Sequence, residues 1–248
     1  MRFPAPLIRG TLVRRYKRFL SDIELANGEI IVAHCANPGS MLGLQEPGSE
    51  VWLSQNTNPK AKLGWRWELV RADGGLVCIN TGRPNGVAAA AITAGQIPDL
   101  SGYAALRREV RYGNNSRIDI LLEDGLRPDC YVEIKCVTLR RPLGADPTAA
   151  EFPDSVTKRG AKHLAELIDT IAAGRRAVML YIVFRHDCDH FRVAADIDPA
   201  YANALEAAMA QGVEAICYDC RVSVDGIELA SPLPVVTRQR GAIAPQEI

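Results

Sequence analysis

Residues 116–135 read SRIDILLEDGLRPDCYVEIK, and this stretch decides how the second part of the 248-residue chain folds. Two apolar runs flank the segment EDGLRPD, whose glycine, proline and acidic residues are typical of a turn. We therefore predict two short strands with a tight connection, which would bring Asp119 close to Glu133 and Lys135. Residues two apart on a strand share a face, so Glu133 and Lys135 should point into one pocket.

This arrangement matches the pattern D…(E/D)-x-K of metal-dependent nucleases with a restriction-endonuclease-like core. Two carboxylates and an ammonium on one sheet can hold a hard divalent ion and orient a water. We expect Asp119 and Glu133 to ligate Mg²⁺ or Mn²⁺, with the carbonyl of Ile134 as a further ligand. Glu109, expected on the preceding helix, could support a second ion. Lys135 would orient the water and stabilise the charge that develops on the phosphoryl oxygens.

The stretch from 155 to 174, SVTKRGAKHLAELIDTIAAG, predicts a helix that ends at a glycine. Arg159, Lys162, His163 and Glu166 follow helical spacing and share one face. We expect His163 to join the catalytic set, and we expect Lys158, Arg159 and Lys162 to contact a DNA phosphate near the helix N-terminus.

A purely structural role fits the same residues. Glu133 could form a salt bridge with Lys135 or with Arg117, and the polar helix face could simply meet solvent. The residue pattern by itself leaves both interpretations open.

The first 82 residues predict an all-β unit, because short strand-like runs alternate with NG, PG, NP and DGG turn signals. The predicted strands cover residues 11–25, 27–35, 49–56, 65–72 and 74–81. About five short, evenly spaced strands fit an oligonucleotide-binding (OB) barrel.

Helices and strands alternate in the rest of the chain, which predicts an α/β (mixed α+β) domain with a mixed sheet. Helices are predicted at 87–95 and 198–212, and a helix running into a strand at 103–113. Strands are predicted at 176–185 and 213–223, and a long loop with three prolines at 140–154. The domains are expected at 1–84 (OB-like barrel, nucleic-acid binding) and 85–235 (nuclease-like), followed by a loose tail at 236–248.

Charge is balanced overall, at 29 basic and 29 acidic residues, but the first 20 residues hold six basic residues and no acid. Basic side chains neutralise phosphates and aromatic rings can stack on bases, so this strand is predicted to contact nucleic acid. The predicted DNA-binding residues here are Arg9, Arg14, Arg15, Lys17 and Arg18. The alternative is an edge strand protected from aggregation by its charges.

Several classes of protein are disfavoured by composition. No apolar run approaches the roughly 20 residues needed to cross a bilayer, and the first residues lack a signal-peptide core. We expect a cytoplasmic protein that contacts no membrane. Seven cysteines, an odd number in mostly apolar segments, predict reduced thiols rather than a disulfide framework.

The chain resembles the sugar fermentation stimulation protein A (SfsA) family along nearly its whole length. The matching stretches are RFLSDIELANGEIIVAHCANPGSM (18–41), NTGRPN (80–85), YGNNSRIDILL (112–122), YVEIKCVTL (131–139), FPDSVTKRGAKHLAEL (152–167) and DIDPAYANAL (196–205). The resemblance implies an N-terminal OB-like domain and a C-terminal nuclease-like domain. It also implies DNA binding without strong sequence preference, and a link to the regulation of sugar (maltose) metabolism in bacteria.

By the same resemblance, Asp119, Glu133 and Lys135 occupy the nuclease-like motif, with Glu109 as a fourth member. The loop Arg140–Glu151 departs from the family by its length, and it borders the site. Two hypotheses follow: a sequence-nonspecific DNA-binding protein with a Mg²⁺-dependent deoxyribonuclease site, or a non-enzymatic DNA-binding regulator with a dormant nuclease fold. The oligomeric state, homodimer or other, stays open.

Overall fold

The computed structural model describes residues 1–58, 60–113 and 116–237. Its first part is a six-stranded antiparallel sheet in the order β3-β2-β1-β4-β5-β6. The strands are β1 Ile8–Tyr16, β2 Leu20–Leu25, β3 Ile30–Cys35, β4 Glu50–Gln55, β5 Trp65–Ala72 and β6 Gly75–Cys78. An additional parallel pairing of β3 with β5 closes five of these strands into a barrel, which confirms the predicted OB fold.

One predicted strand, residues 11–25, is in fact a hairpin of β1 and β2. Its turn contains Lys17 and Arg18, whose φ angles of 48° and 65° lie in the left-handed region. Glycine and asparagine are the residues that usually signal such a turn, and the sequence has neither at these two positions. Apolar residues also continue on both sides of the turn, and the two strands were therefore predicted as one.

The second part is built on a six-stranded sheet in the order β14-β13-β11-β9-β8-β7. Strand β11 pairs parallel with both β9 and β13, whereas the pairs β7–β8, β8–β9 and β13–β14 are antiparallel. The predicted mixed sheet is therefore confirmed. Its strands are β7 Ala105–Tyr112, β8 Ser116–Glu123, β9 Cys130–Val137, β11 Arg176–Val183, β13 Glu214–Val222 and β14 Ile227–Pro232. The helices are α1 Pro84–Thr93, α2 Lys158–Ala172 and α3 Pro199–Ala210, and a 3-10 turn spans Pro98–Leu100.

A second, three-stranded sheet consists of β10 Ala149–Phe152, β12 His190–Val193 and β15 Val235–Val236. None of these strands was predicted, because each has only two to four residues. The predicted loop 140–154 therefore contains a strand. The predicted tail begins inside β15, and its residues 238–248 lie outside the described residues.

The prediction of a helix within residues 103–113 is wrong. The segment is strand β7, which pairs antiparallel with β8 through Arg107↔Leu121 and Arg108↔Ile120. Alanine, leucine, arginine and glutamate favour a helix locally, but sheet pairing outweighs such weak propensities. Glu109 consequently lies on a strand rather than on a helix.

Each face of the large sheet packs against its own apolar cluster. Helix α1 and the barrel cover one face, around Ile134 and Leu180. Helices α2 and α3 cover the other, around Leu164 and Met179. The strand β11 is buried on both faces, as its continuous apolar run predicted. In the described part of the chain, no helix is long and apolar enough to cross a membrane.

Polar contacts fix the barrel to the second domain. The Ser40 hydroxyl donates to the backbone carbonyl of Asp154 (2.6 Å), and the Met41 amide donates to the Asp154 carboxylate (3.0 Å). On another side, Arg185, 1% exposed, donates to Asp73 in the β5–β6 turn (2.6 Å). Arg185 is also paired with Asp187 within the second domain (2.6 Å), so its buried charge is compensated there and the bond to Asp73 adds a contact between the domains.

Candidate metal centre and nucleic-acid interface

The predicted acidic pair sits where two strands of the large sheet separate. The pairing of β8 with β9 ends at Ile120↔Val132. Beyond that point the side chain of Asp119 replaces the missing strand, because its Oδ2 accepts a hydrogen bond from the Ile134 amide (2.7 Å). A buried backbone amide needs such a partner, and Asp119 is thereby fixed beside β9.

Glu133 is 2% exposed, and two neighbouring side chains donate hydrogen bonds to it. Its Oε1 accepts from Lys135 Nζ (2.7 Å) and from His163 Nδ1 on α2. Its Oε2 is buried and has no hydrogen-bond partner among the described residues. An unpaired buried carboxylate oxygen is costly, so this atom is available to a ligand.

The hydrogen bonds around His163 define its tautomer. Arg159 Nε donates to His163 Nε2 (3.2 Å), and a guanidinium can only donate. Nε2 is therefore the acceptor, and the proton of a neutral imidazole lies on Nδ1, facing Glu133. The predicted polar face of α2 is thus turned inward here, since His163 is only 5% exposed.

The two carboxylates titrate in opposite directions. Burial disfavours the charged form of Glu133, but the hydrogen bond from His163 and the charge of Lys135 outweigh it and hold its pKa below the ordinary value. Burial and the neighbouring Glu133 charge raise the pKa of Asp119, although the Ile134 amide and Asn85 partly offset them. Asp119 therefore carries repulsion that a bound cation would relieve.

Glu109 reaches the same place from β7. It lies opposite Asp119, between the pairs Arg108↔Ile120 and Val110↔Ile118, and its φ of 54° is in the left-handed region. The Asn85 side-chain amide donates to both acids, at 2.8 Å to Asp119 Oδ1 and 3.0 Å to Glu109 Oε1. Strained backbone of this kind is frequent at functional sites.

The barrel positions Asn85 through a buried glutamate. Glu68 on β5 is fully buried and accepts from Arg83 Nη2 (2.5 Å) and Nε (3.0 Å) and from Asn80 (2.8 Å). Arg83 directly precedes α1, and Asn85 lies in its first turn. The NTGRPN segment therefore connects the barrel core to the acidic pocket.

A third buried acid, Glu166, lies one turn beyond His163 on α2. Its Oε1 accepts from Ser116 (2.8 Å) and lies 3.5 Å from Lys162 Nζ, while its Oε2 is buried without a hydrogen-bond partner among the described residues. Burial and the charges of Glu133 and Glu166 raise the pKa of Tyr112. Ser116, Tyr112 and Glu166 thus extend the acidic pocket under the β7–β8 hairpin.

Most of the basic residues of β1 are engaged within the barrel. Arg9 pairs with Glu50, and Arg14 pairs with Asp22 (2.7 Å). Arg15 donates to several carbonyl groups of the turn after β3, including that of Asn37 (2.9 Å). Arg15 therefore supports the turn that contacts the second domain.

The remaining predicted DNA-binding residues are exposed, in the β1–β2 turn and on the first turns of α2. Lys17 and Arg18 are exposed in the β1–β2 turn, and Arg18 borders a cavity of about 580 Å³ between barrel and second domain. Lys158, Arg159 and Lys162 are exposed on the first turns of α2. The structure brings Arg159 and Lys162 to the acidic pocket, whereas Arg9 and Arg14 belong to the barrel surface.

The donor set fits a hard divalent ion, although it is incomplete by itself. Within the described ranges, no three His, Cys, Asp or Glu side chains converge into a ready metal cluster. The half-buried Asp119 and the buried Glu133 provide carboxylate oxygens, and Glu133 Oε2 has no hydrogen-bond partner among the described residues. Mg²⁺ takes one or two protein carboxylates and keeps several waters, so this set suits it.

Four residues of this pocket were not predicted as site residues: Asn85, Ser116, Glu166 and Tyr112. The signal for Glu166 was its position on the polar face of α2, and the signal for Asn85 was its place in NTGRPN. Tyr112 had no signal, because the segment around it was predicted as partly helical.

Comparison with known proteins gives matches along both domains. The family described as the sugar fermentation stimulation protein RE domain matches residues 82–226, and the SfsA N-terminal OB domain matches residues 13–79. A sugar fermentation stimulation protein homolog of Paramagnetospirillum magneticum is 57% identical over 240 residues, covering 97% of this chain and 100% of the relative. The homolog of Rhodospirillum centenum is 60% identical over 227 residues, covering 92% and 96%.

A solved structure is similar to both domains together. The SfsA protein of Pyrococcus furiosus in complex with Ca²⁺ gives a TM-score of 0.84 at 26% identity, covering 95% of this chain and 98% of that one. The overall arrangement of barrel and mixed sheet is therefore shared with that protein.

Proposed function

Since this chain belongs to the sugar fermentation stimulation protein family, we propose that it binds DNA and hydrolyses phosphodiester bonds with a divalent ion held by its second domain. One observation carries the proposal. Asp119 and Glu133 are carboxylates fixed on neighbouring strands where the sheet opens, and one Glu133 oxygen is buried with no hydrogen-bond partner among the described residues.

Asp119 and Glu133 would hold Mg²⁺ or Mn²⁺, with Glu109 and the Ile134 carbonyl as further ligands. The ion, when bound, would polarise a phosphoryl oxygen and lower the pKa of a bound water. The related protein from Pyrococcus furiosus was solved with Ca²⁺, another hard cation with oxygen ligands, which supports a divalent ion in this family.

The side chains around the acids have separate tasks. Lys135, whose side chain is 13% exposed, sits on Glu133 and stabilises negative charge at the pocket. His163 donates from Nδ1 to Glu133 and so fixes the direction of that carboxylate. Arg159 and Lys162, at the exposed edge of α2, are placed to bind a phosphate of the DNA.

A specific observation favours the second candidate, a non-enzymatic DNA-binding regulator. Lys135 pairs with Glu133 and His163 donates a hydrogen bond to it, so the protein itself compensates this carboxylate. A dormant nuclease fold needs just such internal neutralisation. This candidate would connect with the stimulation of sugar fermentation that the family name indicates.

Cleavage assays separate the two candidates. Purified protein is incubated with plasmid, linear duplex and single-stranded DNA in Mg²⁺, in Mn²⁺ and in EDTA. Cutting that requires the metal and disappears in Asp119→Ala supports the nuclease. Metal-independent DNA binding that survives Glu133→Ala, with no cutting under any metal, supports the regulator instead.

A further inference from the structure

A polar groove on the barrel has the His34 ring in its wall, and the exposed ring of Phe19 stacks on His34. The groove has a volume of about 430 Å³, and its walls include His34, Arg66, Thr81 and Arg83. His34 on β3 lies beside Arg66 on β5 in the parallel pair that closes the barrel. The Phe19 ring stacks on His34, with centroids 6.4 Å apart and 24° between the planes, and Phe19 is 44% exposed.

The charge of this groove suits an anionic polymer. Arg83 is occupied by the buried Glu68, but Arg66 forms no ion pair with any residue that the structure describes. Burial and the nearby Arg66 charge lower the pKa of His34 below its ordinary value. Lys17 and Arg18 are exposed immediately before Phe19 in the chain.

The chain segment that lines the groove continues to the acidic pocket. Thr81 borders both this groove and the cavity of about 580 Å³ between the domains. Two residues beyond Arg83, at the start of α1, Asn85 contacts Asp119 at 2.8 Å. Residues 80–85 therefore connect the wall of the groove to the side chain that contacts Asp119.

We infer that this groove binds an unpaired DNA strand, with a base stacked on Phe19 and a phosphate at Arg66. An aromatic ring can stack only on a base whose face is free, and bases inside a duplex have both faces covered. Exposed rings beside unpaired cationic groups are the combination that binds single strands without sequence preference. The inference rests on the proposed DNA function and specifies its substrate as DNA with an unpaired segment.

The test measures binding without cleavage. Fluorescence anisotropy in EDTA compares a labelled oligothymidylate with a duplex of the same length, using the full chain. We expect tighter binding of the single strand. Phe19→Ala should weaken that binding about tenfold, which corresponds to about 1.4 kcal/mol and lies within the range of about 1–3 kcal/mol for one stacked base. Phe19→Trp should keep the affinity.

Matched controls separate stacking from a general surface effect. Ile30→Ala removes a more exposed apolar side chain (61%) from the same barrel and should leave affinity unchanged. Arg66→Ala should reduce the slope of log affinity against log salt by about 0.7, the value for one lost phosphate contact on a single strand. Lys62→Ala, at an exposed position away from the groove walls, should not change it.

The outcomes distinguish this inference from the proposed function. Equal affinity for both DNA forms, or a Phe19→Ala protein that binds the single strand as well as the wild type, overturns the groove while DNA binding stands. Failure to bind either form overturns the proposed function as well. Because Phe19 lies in an exposed turn, an unchanged melting temperature of Phe19→Ala will show that the variant is folded.

Discussion

The two acids of the pocket should respond oppositely to removal of their charge. Glu133→Gln leaves the ammonium of Lys135 and the His163 ring buried without their anionic partner, with side chains 13% and 6% exposed. Breaking a buried pair in this way costs about 3–5 kcal/mol, and the glutamine oxygen can still accept a hydrogen bond, so we expect about 3 kcal/mol. In a chain of this size the melting temperature should fall by about 6–12 °C.

Asp119→Asn should have no such cost. Burial and the Glu133 charge raise the pKa of Asp119, so its ionised form is disfavoured in the fold. Asparagine keeps an acceptor for the Ile134 amide and removes the repulsion, which offsets the loss of the hydrogen bond that Asp119 Oδ1 accepts from Asn85 (2.8 Å). We expect a free energy of unfolding within about 1 kcal/mol of the wild type or above it.

The assay is urea and thermal unfolding of both variants and the wild type, with and without Ca²⁺. At a concentration 100 times the dissociation constant, a bound ion stabilises the wild type by about 2.7 kcal/mol, and both variants should lose this increment. Glu133 has a lowered pKa, so its stabilising contribution is present above its unfolded value of about 4.3 and is lost as the pH falls through the folded pKa. The reasoning is refuted if Asp119→Asn is the less stable variant, or if either variant keeps the Ca²⁺ increment.

Three further predictions concern ion binding at Asp119, the buried Glu68 and the contact between the domains. Divalent-ion affinity, measured by calorimetry, should fall as the pH is lowered toward the raised pKa of Asp119, and should begin to fall at a higher pH than an ordinary aspartate would allow, because protons compete with the ion; an affinity independent of pH would contradict this. Glu68→Gln should destabilise the protein by about 2–3 kcal/mol and weaken ion binding through displacement of Asn85, whereas ion binding at wild-type strength would show that the barrel does not position the pocket. Asp73→Ala should remove the hydrogen bond from Arg185 to the barrel, leaving Arg185 paired with Asp187 alone, and increase amide exchange at the contact between the domains; unchanged exchange there would contradict the assigned role.

Sequence patterns revealed the pocket well because its chemistry lies on regular elements. Asp119 and Glu133 sit on strands with clear apolar patterns, and His163 follows helical spacing on α2. Glu109 was expected near the other acids, but on a helix. The residues around it favour a helix, and they form strand β7 only because they pair with β8.

The remaining features depend on contacts between residues distant in sequence. Asn85 reaches the pocket because Glu68, on the barrel, fixes Arg83 before α1. The β1–β2 turn has no local signal, so the positions of Lys17 and Phe19 emerge only when β2 pairs with β1. Long-range pairing and buried charge pairs of this kind are not encoded in local periodicity.

Asp119 and Glu133 are proposed to hold a divalent ion together. Anomalous scattering from a crystal soaked in Mn²⁺ tests it directly. We predict a peak between the two carboxylates, within about 2.0–2.3 Å of an oxygen of each, that is absent from a soaked crystal of Asp119→Asn. A wild-type crystal with no peak at these carboxylates, or a peak that persists in Asp119→Asn, would contradict the claim.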